Sequence, residues 1–168
     1  MPSIRSSVGY ARRLLTRCRV EKPPVDVEKM ARGLGIDIQL QDFPDEVSGA
    51  LFRGPDRVVI AANANHHRNR RRFTVAHELG HHLLHPDSPA YYDREHQIGM
   101  HLRARVAGMQ WDSKEVEANR FAAELLMPRR LVLAAIGQAE ITDAGSLAEI
   151  FEVSEQAMTY RLAELRFA

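Results

Sequence analysis

Apolar positions along the chain switch between helical and strand periodicity, and the switches mark out its elements. From about Ser6 to Arg19 the pattern is helical, with Arg12, Arg13, Arg17 and Arg19 on its polar side. Lys22-Pro23-Pro24 breaks that run, and Asp26 can cap a short helix reaching Leu34, which Gly35 terminates. Ile36-Asp37-Ile38-Gln39-Leu40 alternates as a strand does. Val47 to Arg53 and Arg57 to Ala61 are two more strand candidates, with Gly54-Pro55-Asp56 as the hairpin turn between them. These three segments predict a small antiparallel or mixed sheet.

Asn65 to His85 contains no Pro, and Phe73, Ala76, Leu79, Gly80, Leu83 and Leu84 recur at helical spacing until Pro86 stops them. Residues 86–112 form a long connection rich in Tyr, His and Gly, read as a loop. A second long helix is predicted over 113–128, where Val116, Phe121, Ala122, Leu125 and Leu126 make the apolar stripe and Pro128 closes it. Beyond it, Arg129 to Ile136 is helical and is expected to end at Gly137. Ser146 to Ser154 and Glu155 to Leu165 then form a pair patterned like a helix-turn-helix, with Ser154 capping the second helix.

The chemistry concentrates in His77-Glu78-Leu79-Gly80-His81. Positions four apart on a helix share a face, so His77 and His81 can aim two imidazole nitrogens at one metal ion. Glu78 begins on the adjoining face, within reach of a water at that ion, which is the arrangement of zinc peptidases. Gly80 costs about 1 kcal/mol in a helix interior relative to Ala, and admits a close approach by another backbone or a substrate.

A third ligand has two candidates, Glu115 and Glu117. They lie about 200° apart around their helix, so one at most faces the ion. Glu115 shares its face with Asn119, Ala122 and Leu126, and Asn119 could orient a ligand from behind. Glu117 shares a face with Phe121 and Glu124 and is expected to meet solvent. A capping box from Asp112 to Glu115 is the alternative reading of Glu115, requiring no metal. His85 continues the face of His77 and His81 by one turn. A fourth ligand would close a site that catalysis needs open, so His85 is read as a supporting or surface residue, and His82 as surface or packing. Tyr91, Tyr92, His96 and His101 are candidate donors to a developing oxyanion.

Composition narrows the setting. A chain of 168 residues with 45% hydrophobic content suits one domain. It divides into an N-terminal basic helix (1–22), a sheet and metal helix (24–85), a loop (86–112) and a helical part (113–168). No run of 18 apolar residues occurs, and no apolar segment comes after Arg5, Arg12 and Arg13, so neither a membrane span nor a secretory signal is expected. The single Cys18 leaves no intrachain disulfide to form, and a cytoplasmic location is expected. A net charge of +1 argues against wholesale binding to nucleic acid. Arg68, Arg70, Arg71 and Arg72 crowd the first turns of the metal helix, where positive charge opposes the helix dipole. A solvated surface is the simpler account of them; acidic partners in the same fold or in a bound protein are the alternative.

HELGHHLLH, followed after a variable loop by EVEANRFAAELLMP, resembles the ImmA/IrrE-type metallopeptidases of bacteria and their mobile elements, over about Pro24 to Leu165. The resemblance implies an α+β, zincin-like fold: a small three-stranded sheet packed on the HExxH helix, with a helical C-terminal part. It implies His77, His81 and Glu115 as zinc ligands and Glu78 as catalytic base, although Mn or Fe would also suit such an N,N,O set. If it holds, Ser48 to Phe52 is the edge strand lining the cleft, able to take a peptide by strand addition. It also implies an endopeptidase whose substrate is a helix-turn-helix transcriptional repressor, often encoded nearby. The chain is expected to belong to the short, repressor-cleaving branch without an added sensor domain. Two other functions stand beside this one: a non-enzymatic, metal-stabilised regulator that binds a repressor, and a DNA-binding module built on the C-terminal helix pair. The second helix of that pair carries Glu155, Arg161, Glu164 and Arg166, which give no net positive face for phosphates. Direct nucleic-acid binding and membrane association are therefore not expected, and the pair is read as packing or partner-docking.

Overall fold

The computed structural model describes residues 4–87, 91–94, 113–139 and 143–166. Helix α1 (Ile4–Arg17) turns Ala11, Leu14 and Leu15 into the core at the three-and-four spacing of an amphipathic helix. It stops two residues before Arg19, which has a positive φ of 51°. Asp26 caps α2 (Val27–Gly33), its carboxylate accepting from the Lys29 amide at 2.9 Å. Gly35, at φ 79°, makes the left-handed step into β1 (Ile36–Gln41).

Strands β2 (Val47–Arg53) and β3 (Val58–Asn63) form the expected hairpin, closed by the Gly54 amide donating to Arg57 O at 2.8 Å. A fourth strand, β4 (Tyr91–Arg94), joins them, and the sheet order is β1-β3-β2-β4. β1 runs parallel to β3 and the other pairs are antiparallel, so the sheet is mixed.

Two expectations change here. Residues 91–94 lie in the segment read as a loop, yet they pair with β2. The strand β2 is consequently flanked on both sides, so Ser48 to Phe52 is not the sheet edge. Four residues reading Tyr-Tyr-Asp-Arg are too short to show alternation, and only their backbone pairing with Val47 to Leu51 makes them a strand. The register slips between Val47 and Gly49. A Cβ on Gly49 would lie 2.4 Å from Thr74 Cγ2 and 2.6 Å from Ala61 O, so β2 is pressed against the helix behind it at a point only glycine fits.

That helix is α3 (Arg68–Leu84), capped by His67, whose Nδ1 accepts from the Asn69 amide, and ended by His85 before Pro86. Across it lies α4 (Ser113–Leu126). Helix α5 (Arg129–Ala139) continues through Gly137 instead of ending there; Gly137 has no positive φ and costs a helix only about 1 kcal/mol near its end. The pair α6 (Ala144–Phe151) and α7 (Glu155–Arg166) completes the described chain. One core joins Leu51 and Ile60 of the sheet, Val75 and Leu79 of α3, Phe121 and Leu125 of α4, and Phe151 and Met158 of the helix pair. Among the described residues no helix is long and apolar enough to cross a membrane.

The arginines at the start of α3 are bonded within the fold, Arg72 buried and Arg68 still exposed. Arg68 pairs with Glu152 at 2.8 Å, and the buried Arg72 donates to Val25 O at 2.8 Å and to Glu152 O at 3.2 Å. Arg70 donates to Ser48 Oγ at 3.1 Å, and Arg71 to Ala64 O at 3.1 Å. Their acidic partner, Glu152, belongs to the turn between α6 and α7, too far along the chain for any spacing rule to link them. The helix pair is thereby bonded to α3, and Asn69 adds a bond to Val153 O at 3.0 Å. Arg161 of α7 is buried, pairing with Glu124 and, at 2.7 Å, with Glu164, so it is not presented to a phosphate backbone.

Candidate metal centre

The two imidazoles of α3 and the carboxylate of Glu115 converge. Glu115 Oε2 is 3.3 Å from His77 Nε2, and Oε1 is 3.1 Å from His81 Nε2. The two Nε2 atoms are themselves 3.0 Å apart. All three residues are buried, with one ligand atom from each lying within 4.8 Å of the others. Glycine at position 80 makes this convergence possible. A Cβ there would sit 3.1 Å from Phe121 Cδ1 and 3.2 Å from Ala118 Cα, so α3 and α4 cross at nearly backbone contact. The close approach expected at Gly80 is thus made by α4. Gly80→Val should overpack that crossing and lower stability by about 1–3 kcal/mol in urea unfolding; an unchanged midpoint would show the crossing to be slack.

The donor set fits a small divalent cation. Asn119 Oδ1 lies 3.0 Å from His77 Nδ1, so the Nδ1 proton is donated to Asn119 and the Nε2 lone pair faces the cluster. Three groups able to offer electron pairs then face one buried spot, where a bound cation, or a proton shared among them, offsets their repulsion. Their separations of 3.0 to 3.3 Å are a little tighter than the roughly 3.3–3.6 Å between ligands about 2.0–2.2 Å from one tetrahedral zinc ion, so a small outward shift would admit the ion. Removing the support with Asn119→Ala should weaken metal binding about 10- to 100-fold in a chelator competition titration; wild-type affinity would mean the hydrogen bond is idle.

Glu78 is fully buried one residue along from His77. His85 forms the C-terminal cap of α3, with its ring centroid 5.8 Å from that of His81, and its Nε2 lies 3.5 Å from Glu117 Oε2. It stands beside the cluster without entering it. Glu117 does not meet solvent: it is buried, and burial pushes its carboxyl above the usual carboxylate range. α4 is packed between α3 and α1, which leaves no solvent-facing stripe where the sequence placed one. His82 is half-buried, and burial together with the nearby Arg53 charge holds its imidazole below the ordinary value. Tyr91 and Tyr92 have their backbones in β4, opposite Leu51 and Ala50. Their side chains, and all of His96, His101 and Asp112, lie outside the described residues.

One residue escaped the sequence reading. Arg53, at the end of β2, donates through Nη2 to His81 O at 3.1 Å and His85 O at 3.2 Å. It neutralises the carbonyl-rich end of α3 and ties that end to the sheet. Burial lowers its pKa, while the negative charges of Glu78 and Asp87 oppose that shift. No local motif marks such an arginine, because its partners lie about thirty residues onward.

A helix-borne histidine pair, a carboxylate from a crossing helix and a mixed sheet behind them make up the layout of a metal-dependent peptidase fold. Residues 31–163 match the model of the peptidase M78 family, described as the IrrE N-terminal-like domain, and the chain belongs to that family. It is 28% identical over 116 residues to uncharacterized immunity region protein 2 of Bacillus phage phi105, a match spanning 69% of this chain and 65% of that relative. In fold it resembles a Mycobacterium tuberculosis transcriptional regulator, with a TM-score of 0.65 at 22% identity; the match takes in 96% of this chain and 47% of that one. The chain thus spans about half the length of that regulator.

Proposed function

We propose that the protein is a zinc-dependent endopeptidase that cuts a helix-turn-helix transcriptional repressor. The observation that carries this reading is the convergence of His77, His81 and Glu115 with Glu78 on the same turn of α3. Membership of a peptidase family supports the reaction class. The immunity-region name of the phage relative accords with a repressor as substrate.

In this reading His77, His81 and Glu115 would hold the ion, which when bound would lower the pKa of water towards about 7 and polarise a carbonyl oxygen. Manganese or iron suits the same N,N,O set. Glu78 takes a proton from the attacking water on its carboxylate and returns it to the leaving amine. Asn119 keeps the Nδ1 proton on His77, so its Nε2 stays available. Arg53 anchors the end of α3 that carries His81. Zinc-loaded protein incubated with a helix-turn-helix repressor encoded beside it should release discrete fragments, mapped by mass spectrometry. An intact repressor in the presence of fully metallated protein would overturn the proposal.

A further inference from the structure

A cleft of about 620 Å³ opens between the first half of α3 and the α6–α7 pair. Its volume falls in the range of sites that take small molecules or a few side chains, about 300–1,000 Å³. Ala148, Val153 and Ala157 line it from the helix pair, all nearly fully buried, and Phe73 lines it from α3. Glu149 and Glu155 stand exposed on the helix-pair side, and Arg70 stands on the opposite side.

The charges on these two sides are treated differently by the fold. Glu152, at the turn of the helix pair, is taken up by Arg68 and Arg72. The carboxylates of Glu149 and Glu155 have neither an ion-pair nor a hydrogen-bond partner among the described residues. Arg70 is held by the neutral Ser48 hydroxyl. An apolar lining beneath two uncompensated carboxylates is complementary to a chain that carries an apolar side chain next to a basic one. The cleft lies close to the metal cluster: the Phe73 ring that lines it is 6.2 Å, centroid to centroid, from the buried His77 ring.

We propose that this cleft docks an extended segment of the polypeptide substrate, placing an apolar side chain against Phe73, Ala148 and Val153 and a Lys or Arg side chain between Glu149 and Glu155. The inference rests on the peptidase reading for the cut made after docking, and adds to it the chemical class of segment that is gripped. The helix pair then acts as one wall of the substrate channel, and its likeness to a DNA reader is a likeness of backbone only.

The test separates gripping from cutting. Immobilised Glu78→Gln protein selects from a synthetic library of random decapeptides, and the retained peptides are sequenced by mass spectrometry. Retained peptides should be enriched in Lys or Arg beside an apolar residue. In the Glu149→Lys/Glu155→Lys background that enrichment should fall about three- to tenfold, and in 1 M salt it should fade. Both positions are exposed, so the variant should fold and bind zinc as before, and zinc content serves as its control. Enrichment of acidic peptides, no enrichment, or enrichment indifferent to charge reversal would each overturn the docking proposal. Selection of basic peptides by a protein whose metallated wild type leaves the repressor intact would leave docking standing and remove the peptidase reading alone.

Discussion

Glu78→Gln should lower repressor cleavage by about 10²- to 10⁴-fold while leaving zinc content at the wild-type level. The substitution keeps the shape of a side chain that is fully buried, so α3 has no reason to repack. It removes the one property the reaction needs, a carboxylate able to accept a proton. His77, His81 and Glu115 are untouched, and elemental analysis should return the same metal per chain. A variant that still cuts at the wild-type rate would remove Glu78 from the mechanism. A variant that cannot cut yet still relieves repression in cells would favour a regulator that works by capture.

The largest loss of stability is expected from Glu124→Ala. Glu124 is 2% exposed and sits between Arg12 of α1, at 2.8 Å, and the buried Arg161 of α7. Deleting the carboxylate leaves a guanidinium that is 5% exposed with, among the described residues, only the half-exposed Glu164 as counter-charge. Breaking a buried pair from one side costs about 3–5 kcal/mol, because the surviving charge stays desolvated. Urea unfolding should show this directly, and a loss under about 1 kcal/mol would refute it. Replacing both partners with apolar side chains, Glu124→Leu with Arg161→Met, should recover much of the loss.

Local rules make a good part of this molecule legible from its sequence. The i,i+4 spacing places His77 and His81 on one face, and the face arithmetic on α4 prefers Glu115 to Glu117, the choice that matches the observed cluster. Asn119 emerges from the same arithmetic and does face His77. Caps at Asp26 and Ser154 and the break at Pro86 set boundaries to within a few residues. What escapes depends on partners distant in sequence. Glu117 and Glu124 look like a solvent stripe until α1 is laid against α4. The arginines of α3 look solvated until Glu152 is brought to them, and β4 is a strand only because β2 is beside it. Arg53 is one residue of a hydrophobic strand until the end of α3 arrives to receive it.

Glu152 joins two helices through a left-handed residue and grips Arg68 and Arg72 at the same time. Arg72 precedes His77 by five residues, about 7.5 Å of helix axis. The α6–α7 elbow is therefore tethered by charge to the same helix that carries His77 and His81, a little over one turn ahead of the first of them.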